Sequence, residues 1–274
     1  MNLLTKLSTT LFFAASAMTL SSAHAAPIKV AVLTGASSAG TWGLAADQLN
    51  NDTYFDFSAT LLTGALVTSS SALMDYDVVV LGGSGYSTTE YSAATLAAVK
   101  AFMKAGNGVV NTSWSRYSAI DHSGQALQDA DFITPVVANN SYNGFGSATI
   151  NMTNTAHAIT KDVGNLVVGS NAAGGGTVEV GVLDAGSTSL ATANGQVAVA
   201  YQDAIGRSVY LGLMYVSNPG YDNAGLRTGS ADRLFEQAVA WAATDAAEVP
   251  EPASVALLVL SLAGLGMSRR RRAS

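Results

Sequence analysis

Short runs of unbroken hydrophobic residues, separated by Gly-rich turns and amphipathic stretches, set the pattern of the chain from Ile28 onward. IKVAVLT (Ile28 to Thr34) and YDVVVLGG (Tyr76 to Gly83) are continuous apolar strands, and FDFSATLL (Phe55 to Leu62) and GVVNTSW (Gly108 to Trp114) complete a first set of four. Apolar residues at helical spacing predict helices over Thr41 to Asn50 and Thr88 to Gly106, the second with Thr88 as its cap and Gly106 as its stop. Strands without polar alternation are buried on both faces, which requires helices on both sides of a parallel sheet. The expected class is therefore α/β, a three-layer, doubly wound and mostly parallel sheet.

Farther along, TVEVGVL (Thr177 to Leu183), QVAVAYQD (Gln196 to Asp203) and RSVYLGLM (Arg207 to Met214) read as strands. The last two form a hairpin across Ala204-Ile205-Gly206. Ser230 to Ala246 is a closing helix whose apolar positions Leu234, Phe235, Ala238, Val239 and Trp241 face the core. Ala138 to Gly176 is the least patterned segment, with an edge strand expected at Gly146 to Met152 and a flexible turn at Gly174 to Gly176.

Both ends depart from this pattern. The first 25 residues hold one cation, Lys6, then an apolar stretch from Leu11 to Leu20, then Ala23 and Ala25 around His24. That order predicts a secretory signal peptide cut after Ala25 and read by the Sec export machinery; the alternative is a buried first helix. At the other end an uncharged run of about 15 residues, Ala253 to Met267, follows Pro250 and Pro252 and precedes Arg269, Arg270, Arg271 and Arg272. As a helix the run would rise about 22 Å against a hydrocarbon core of about 30 Å, a marginal span whose arginines stay cytoplasmic. The division expected is a signal peptide at 1–25, one α/β domain at 26–247 and a terminal signal at 248–274.

Composition narrows the chemistry. The 274 residues contain 19 acidic and 13 basic side chains, a net charge of -6, and four of the basic ones sit in the terminal cluster. No basic surface for nucleic acid is expected. With no cysteine there is neither a disulfide framework nor a thiolate nucleophile. No cofactor is implied.

The order Val249-Pro250-Glu251-Pro252, short apolar helix, arginine cluster closely resembles the PEP-CTERM sorting signal of exopolysaccharide-producing Gram-negative bacteria. The resemblance implies that exosortase, a membrane protease-transpeptidase, removes the tail near the Pro-Glu-Pro motif after transient residence in the inner membrane. The protein would then reach the cell surface or matrix, with exopolysaccharide as a partner. A permanent tail anchor is the alternative, and either makes the domain extracytoplasmic.

The central pieces YDVVVLGG, VKAFMKAGNGVVNTSW, HAITKDVGN (His157 to Asn165), GRSVYLGL (Gly206 to Leu213) and LFEQAVAWAA resemble the class I glutamine amidotransferase-like superfamily, in its ThuA-like branch. Ala158 stands where that branch would have proline. The superfamily's nucleophile, where present, is a Cys on a strand-to-helix turn, which here follows GVVNTSW and offers Asn111, Thr112, Ser113, Trp114 and Ser115. The usual amidotransferase chemistry is excluded by the missing thiol.

Two readings stay open. A serine hydrolase acting on carbohydrate or ester could use Ser113 with His122 as base, but NTSWSR lacks the flanking glycines of a GxSxG elbow, so hydroxyls satisfied by backbone are the competing expectation. Asp121, His122 and Asp129 or Asp131 lack any metal-site spacing, and Gly82-Gly83-Ser84-Gly85 lacks the P-loop lysine. The other reading is a non-catalytic binding domain. Ligands of open α/β sheets lie beyond the carboxyl ends of the strands, where Thr34, Gly35, Trp42, Gly82, Gly83, Ser84, Ser113, Trp114 and Arg116 are expected to gather. Trp42 and Trp114 with Ser84 and Arg116 would suit a saccharide; core packing of both rings is the alternative.

Overall fold

The computed structural model describes residues 26–35, 42–51, 53–83, 90–112, 114–115, 134–137, 144–169, 178–216 and 224–244. A nine-stranded sheet forms its centre. Five strands run parallel: β1 (Ile28–Thr34), β2 (Phe57–Thr63), β3 (Val78–Leu81), β4 (Gly108–Thr112) and β13 (Arg207–Leu211). The sheet order is β2-β1-β3-β4-β13, continued antiparallel by β12 (Gln196–Gln202), β11 (Thr188–Ala193), β7 (Ser147–Met152) and β8 (Leu166–Gly169). Short pairs β5 (Val136–Val137) with β10 (Val182–Leu183), and β6 (Gly144–Phe145) with β9 (Val178–Glu179), flank it.

The parallel half follows from the apolar runs. Val30, Ala31, Val32 and Leu33 are fully buried, as are all of β3 and β4, because helices cover these strands. α1 (Trp42–Leu49) lies on β1 and β2, α2 (Ala93–Lys104) on β4, and α3 (Gly229–Ala243) on β3, β4 and β13. In α3 the stripe Leu234, Phe235, Ala238, Val239 and Ala242 is buried. Each of its large side chains contributes about 1.5–3 kcal/mol. Phe235 stacks on Tyr215 with ring centroids 4.4 Å apart.

Several expectations are corrected. α2 starts at Ala93, capped by Ser92, whose side chain accepts from the Thr95 amide at 3.1 Å; the expected cap, Thr88, lies outside the described residues. The strand expected over Thr177 to Leu183 is broken into β9 and β10, which pair with different partners, while Gly181 between them bridges to Val197. β7 is not an edge: β8 pairs outside it. The β12 to β13 hairpin across Ala204 to Gly206 is present as expected.

A buried polar network ties α1 to α3. The Gln48 side-chain amide donates to Leu226 O at 3.0 Å and to Asp232 Oδ1 at 2.5 Å, while Arg227 donates to Gln48 Oε1 and to Tyr215 O. Burial raises the Asp232 carboxyl above its ordinary range, against the lowering effect of Gln48 and Arg227. Burial likewise lowers the guanidinium of Arg227. These groups hold the α3 amino terminus in place.

Candidate functional site: the carboxyl edge of the sheet

The carboxyl ends of β1 and β3 are joined by Tyr91. Its hydroxyl accepts from the Gly82 amide at 3.1 Å and lies 3.1 Å from Leu33 O and 3.0 Å from Gly82 O, to which it donates. Complete burial pushes that phenol far above its ordinary pKa, so it stays a donor. Trp42 meets Tyr91 edge-on at 6.5 Å. Glu90, also buried, lies over Gly35, where any Cβ would overlap its carboxylate.

The turn after β4 is a strained elbow. Trp114 has φ +68°, a left-handed conformation that costs a bulky residue about 1–3 kcal/mol. The sharp turn expected after GVVNTSW thus exists without flanking glycines in its own segment. The space comes from the neighbouring strand: a Cβ on Gly83 would sit 2.5 Å from Trp114 O and 2.8 Å from Trp114 Cβ. Hydroxyls around the turn are taken by backbone, Thr112 Oγ1 donating to Leu81 O at 3.1 Å and Ser115 Oγ to Thr112 O at 2.5 Å.

What holds the elbow is Glu179, fully buried on β9. Its Oε2 accepts from the Trp114 amide at 2.9 Å and from the Tyr210 hydroxyl at 2.9 Å, and the same hydroxyl lies 3.1 Å from Glu179 O. Gly212 permits this approach, since a Cβ there would collide with Glu179 O. A carboxyl group deep in the domain is tolerable because these hydrogen bonds replace its water.

Of the residues expected at this edge, the structure brings together Thr34, Gly35, Trp42, Gly82, Gly83 and Trp114. Ser84, Ser113, Arg116 and His122 lie outside the described residues, as do Asp121, Asp129 and Asp131. Trp42 and Trp114 are only 3% and 6% exposed, so both rings are packed in the interior rather than displayed. Among the described residues no group of three or more His, Asp or Glu could hold a metal ion. Glu179, Tyr210, Glu90 and Tyr91 were not anticipated. The signal for Glu179 was the single carboxylate inside the otherwise apolar TVEVGVL, a placement that demands a buried partner.

His157 is elsewhere. It stacks on Tyr201 at 4.2 Å and lies 5.5 Å from Trp241, with Arg207 over the Trp241 ring at 4.8 Å. This cluster sits at the start of β13, the opposite edge from Trp114. His157 is therefore not part of the elbow.

Residues 248–272 match the PEP-CTERM protein-sorting motif, so the chain carries that signal. No curated protein matches the chain in sequence. In fold it is similar to a cytoplasmic protein from Salmonella typhimurium, at 12% identity and TM-score 0.57, over 78% of this chain and 98% of that one. It is also similar to ThuA-like proteins from Parabacteroides merdae (15%, TM-score 0.53, 82% and 94% covered) and Bacteroides uniformis (14%, TM-score 0.55, 80% and 93% covered). The domain is thus mixed α/β with ThuA-like neighbours. Among the described residues no helix is long and apolar enough to cross a membrane; the short span expected at Ala253 to Met267 lies outside them.

Proposed function

We propose that this is an exported surface protein, sorted by exosortase, whose ThuA-like domain binds rather than catalyses. The sorting motif implies export, transient seating in the membrane and exosortase processing. The observation that carries the non-catalytic part is the bond from the Trp114 amide to Glu179. In a serine elbow the amide of the residue after the nucleophile stabilises the oxyanion. For Ser113 that residue is Trp114. Its amide is already spent on the Glu179 side chain, so it is not presented to an oxyanion. The hydrolase reading with Ser113 and His122 is therefore disfavoured by this bond as well as by packing.

In the finer form of this reading, Sec exports the chain, the domain spans 26–247 as a three-layer doubly wound fold, and the released product joins the exopolysaccharide matrix of a Gram-negative cell. Saccharide binding would fall to polar groups of the carboxyl edge, with Ser84 and Arg116 as the candidates, because the buried Trp42 and Trp114 rings offer hardly any face for stacking. Intact-mass analysis of surface-released protein should show loss of the first 25 residues and of the tail from the Pro-Glu-Pro region on. A full-length C-terminus in every fraction would contradict the sorting; no binding to exopolysaccharide or a glycan array would remove the saccharide.

A further inference from the structure

Strands β1, β3, β4 and β13 are parallel, so all four start at one edge of the sheet. α3 ends at that same edge. Arg207, the first residue of β13, donates to Trp241 O at 2.8 Å and to the Thr244 hydroxyl, and a Cβ on Gly108, the first residue of β4, would collide with the Ala242 backbone. The described domain therefore ends, at Thr244, about one strand length, roughly 17 Å for five residues, from the Trp114 elbow.

The edge where α3 ends carries a cluster of aromatic side chains. Trp241, Tyr201 and His157 are half-buried and pack on one another, Tyr201 meeting Trp241 edge-on at 5.1 Å. Beside Arg207, the hairpin turn exposes Ile205 to 39%. Only eight residues, 245–252, separate Thr244 from the apolar run that begins at Ala253. At full stretch they reach roughly 30 Å, about one small-domain diameter. A tether that short keeps this edge at high effective concentration beside the bilayer, so that even weak contacts are populated.

We propose that this edge is the face the domain lays against the outer surface of the membrane while the tail is seated there, with Trp241, Tyr201 and Ile205 at the phospholipid headgroup boundary. The inference rests on the sorting reading and extends it. Trp and Tyr suit that boundary because each has an apolar body and a polar tip. Charge attraction is not the driving force. The tether contains Asp245, Glu248 and Glu251, the nearby Asp203 is exposed, and the Arg207 guanidinium is already bonded to the end of α3. The carboxyl edge, with its elbow, then faces away from the membrane.

The test uses the full chain with its tail, reconstituted in phosphatidylethanolamine and phosphatidylglycerol vesicles whose acyl chains are brominated near the glycerol end. The three tryptophans include two buried ones, Trp42 and Trp114, so contact quenching should fall on Trp241. Wild-type emission should be partly quenched, at low and high salt alike, and Trp241→Phe should lose the quenched component while still floating with the vesicles. Ile205→Asp, an exposed change that leaves the core intact, should weaken the quenching. Equal quenching in wild type and Trp241→Phe, or none in either while the chain floats, would overturn the membrane face and leave the sorting reading standing. A chain that does not float would bring down both. Quenching that requires exosortase in the vesicles would assign the face to the protease and overturn the proposal.

Discussion

Trp114 and Glu179 are joined by a 2.9 Å bond from the elbow amide to a fully buried carboxylate, 65 residues away in sequence. The bond fixes a backbone conformation that a bulky residue adopts only at a cost. It also fills the place where a catalytic elbow would hold a donor ready for an anion. Packing and hydrogen bonding thus agree at one position.

Removing the carboxylate should loosen the elbow. Glu179→Ala takes the side-chain acceptor from the Trp114 amide in the interior, at about 1–3 kcal/mol, while the Tyr210 hydroxyl keeps Glu179 O as its acceptor. Glu179→Gln keeps an acceptor and should cost less. Urea denaturation of the two variants measures the order; equal losses would mean that the side-chain oxygen is not what holds the turn.

The left-handed conformation of Trp114 reverses an ordinary preference. Either truncation sacrifices a buried ring, roughly 3–5 kcal/mol. At φ +68°, however, Trp114→Gly should be more stable than Trp114→Ala by about 1 kcal/mol, because glycine alone tolerates that region without strain. An alanine variant as stable as the glycine one would argue against a strained elbow.

Gly83 makes room for the same turn. Gly83→Ala should destabilise by about 1–3 kcal/mol, since the new methyl meets Trp114 backbone and Cβ within 2.8 Å. Gly146→Ala enters open space and serves as the control, expected within about 0.5 kcal/mol of wild type. Thermal melts of the pair provide the comparison.

His157 gives the domain a pH signature at its other edge. Burial lowers its pKa below the ordinary 6.5, against the raising effect of Asp203 and with a smaller lowering by Arg207. In the window just below 6.5 the unfolded chain holds the proton and the folded one does not, so stability rises with pH there and is lost as pH falls toward the folded value. His157→Phe, which keeps the ring stack on Tyr201, should flatten that slope. An unchanged slope would mean that other groups produce it.

How much of this could be read from the chain depends on the interaction involved. β1 and the β12–β13 hairpin are local: continuous apolar residues, or two runs and a turn, suffice. α3 was placed within a few residues for the same reason. β11 was missed although Asn194-Gly195, with φ of 49° and 79°, is a strong two-residue hairpin signal before β12. β8 carries little local signal, since it is a four-residue strand whose one partner among the described residues is β7. The elbow was legible as a place, but its occupant's partner was not. Trp114 and Glu179 meet through sheet order, and no spacing in the sequence encodes a contact across 65 residues.

The non-catalytic reading of the elbow is tested most directly by covalent labelling of Ser113. The processed protein, treated with a fluorophosphonate that reacts with activated serines, should remain unlabelled under conditions that label a known serine hydrolase completely. Labelling that disappears in Ser113→Ala and persists in a Ser115→Ala control would contradict the account, because it would require a working nucleophile beside an amide already bonded to Glu179.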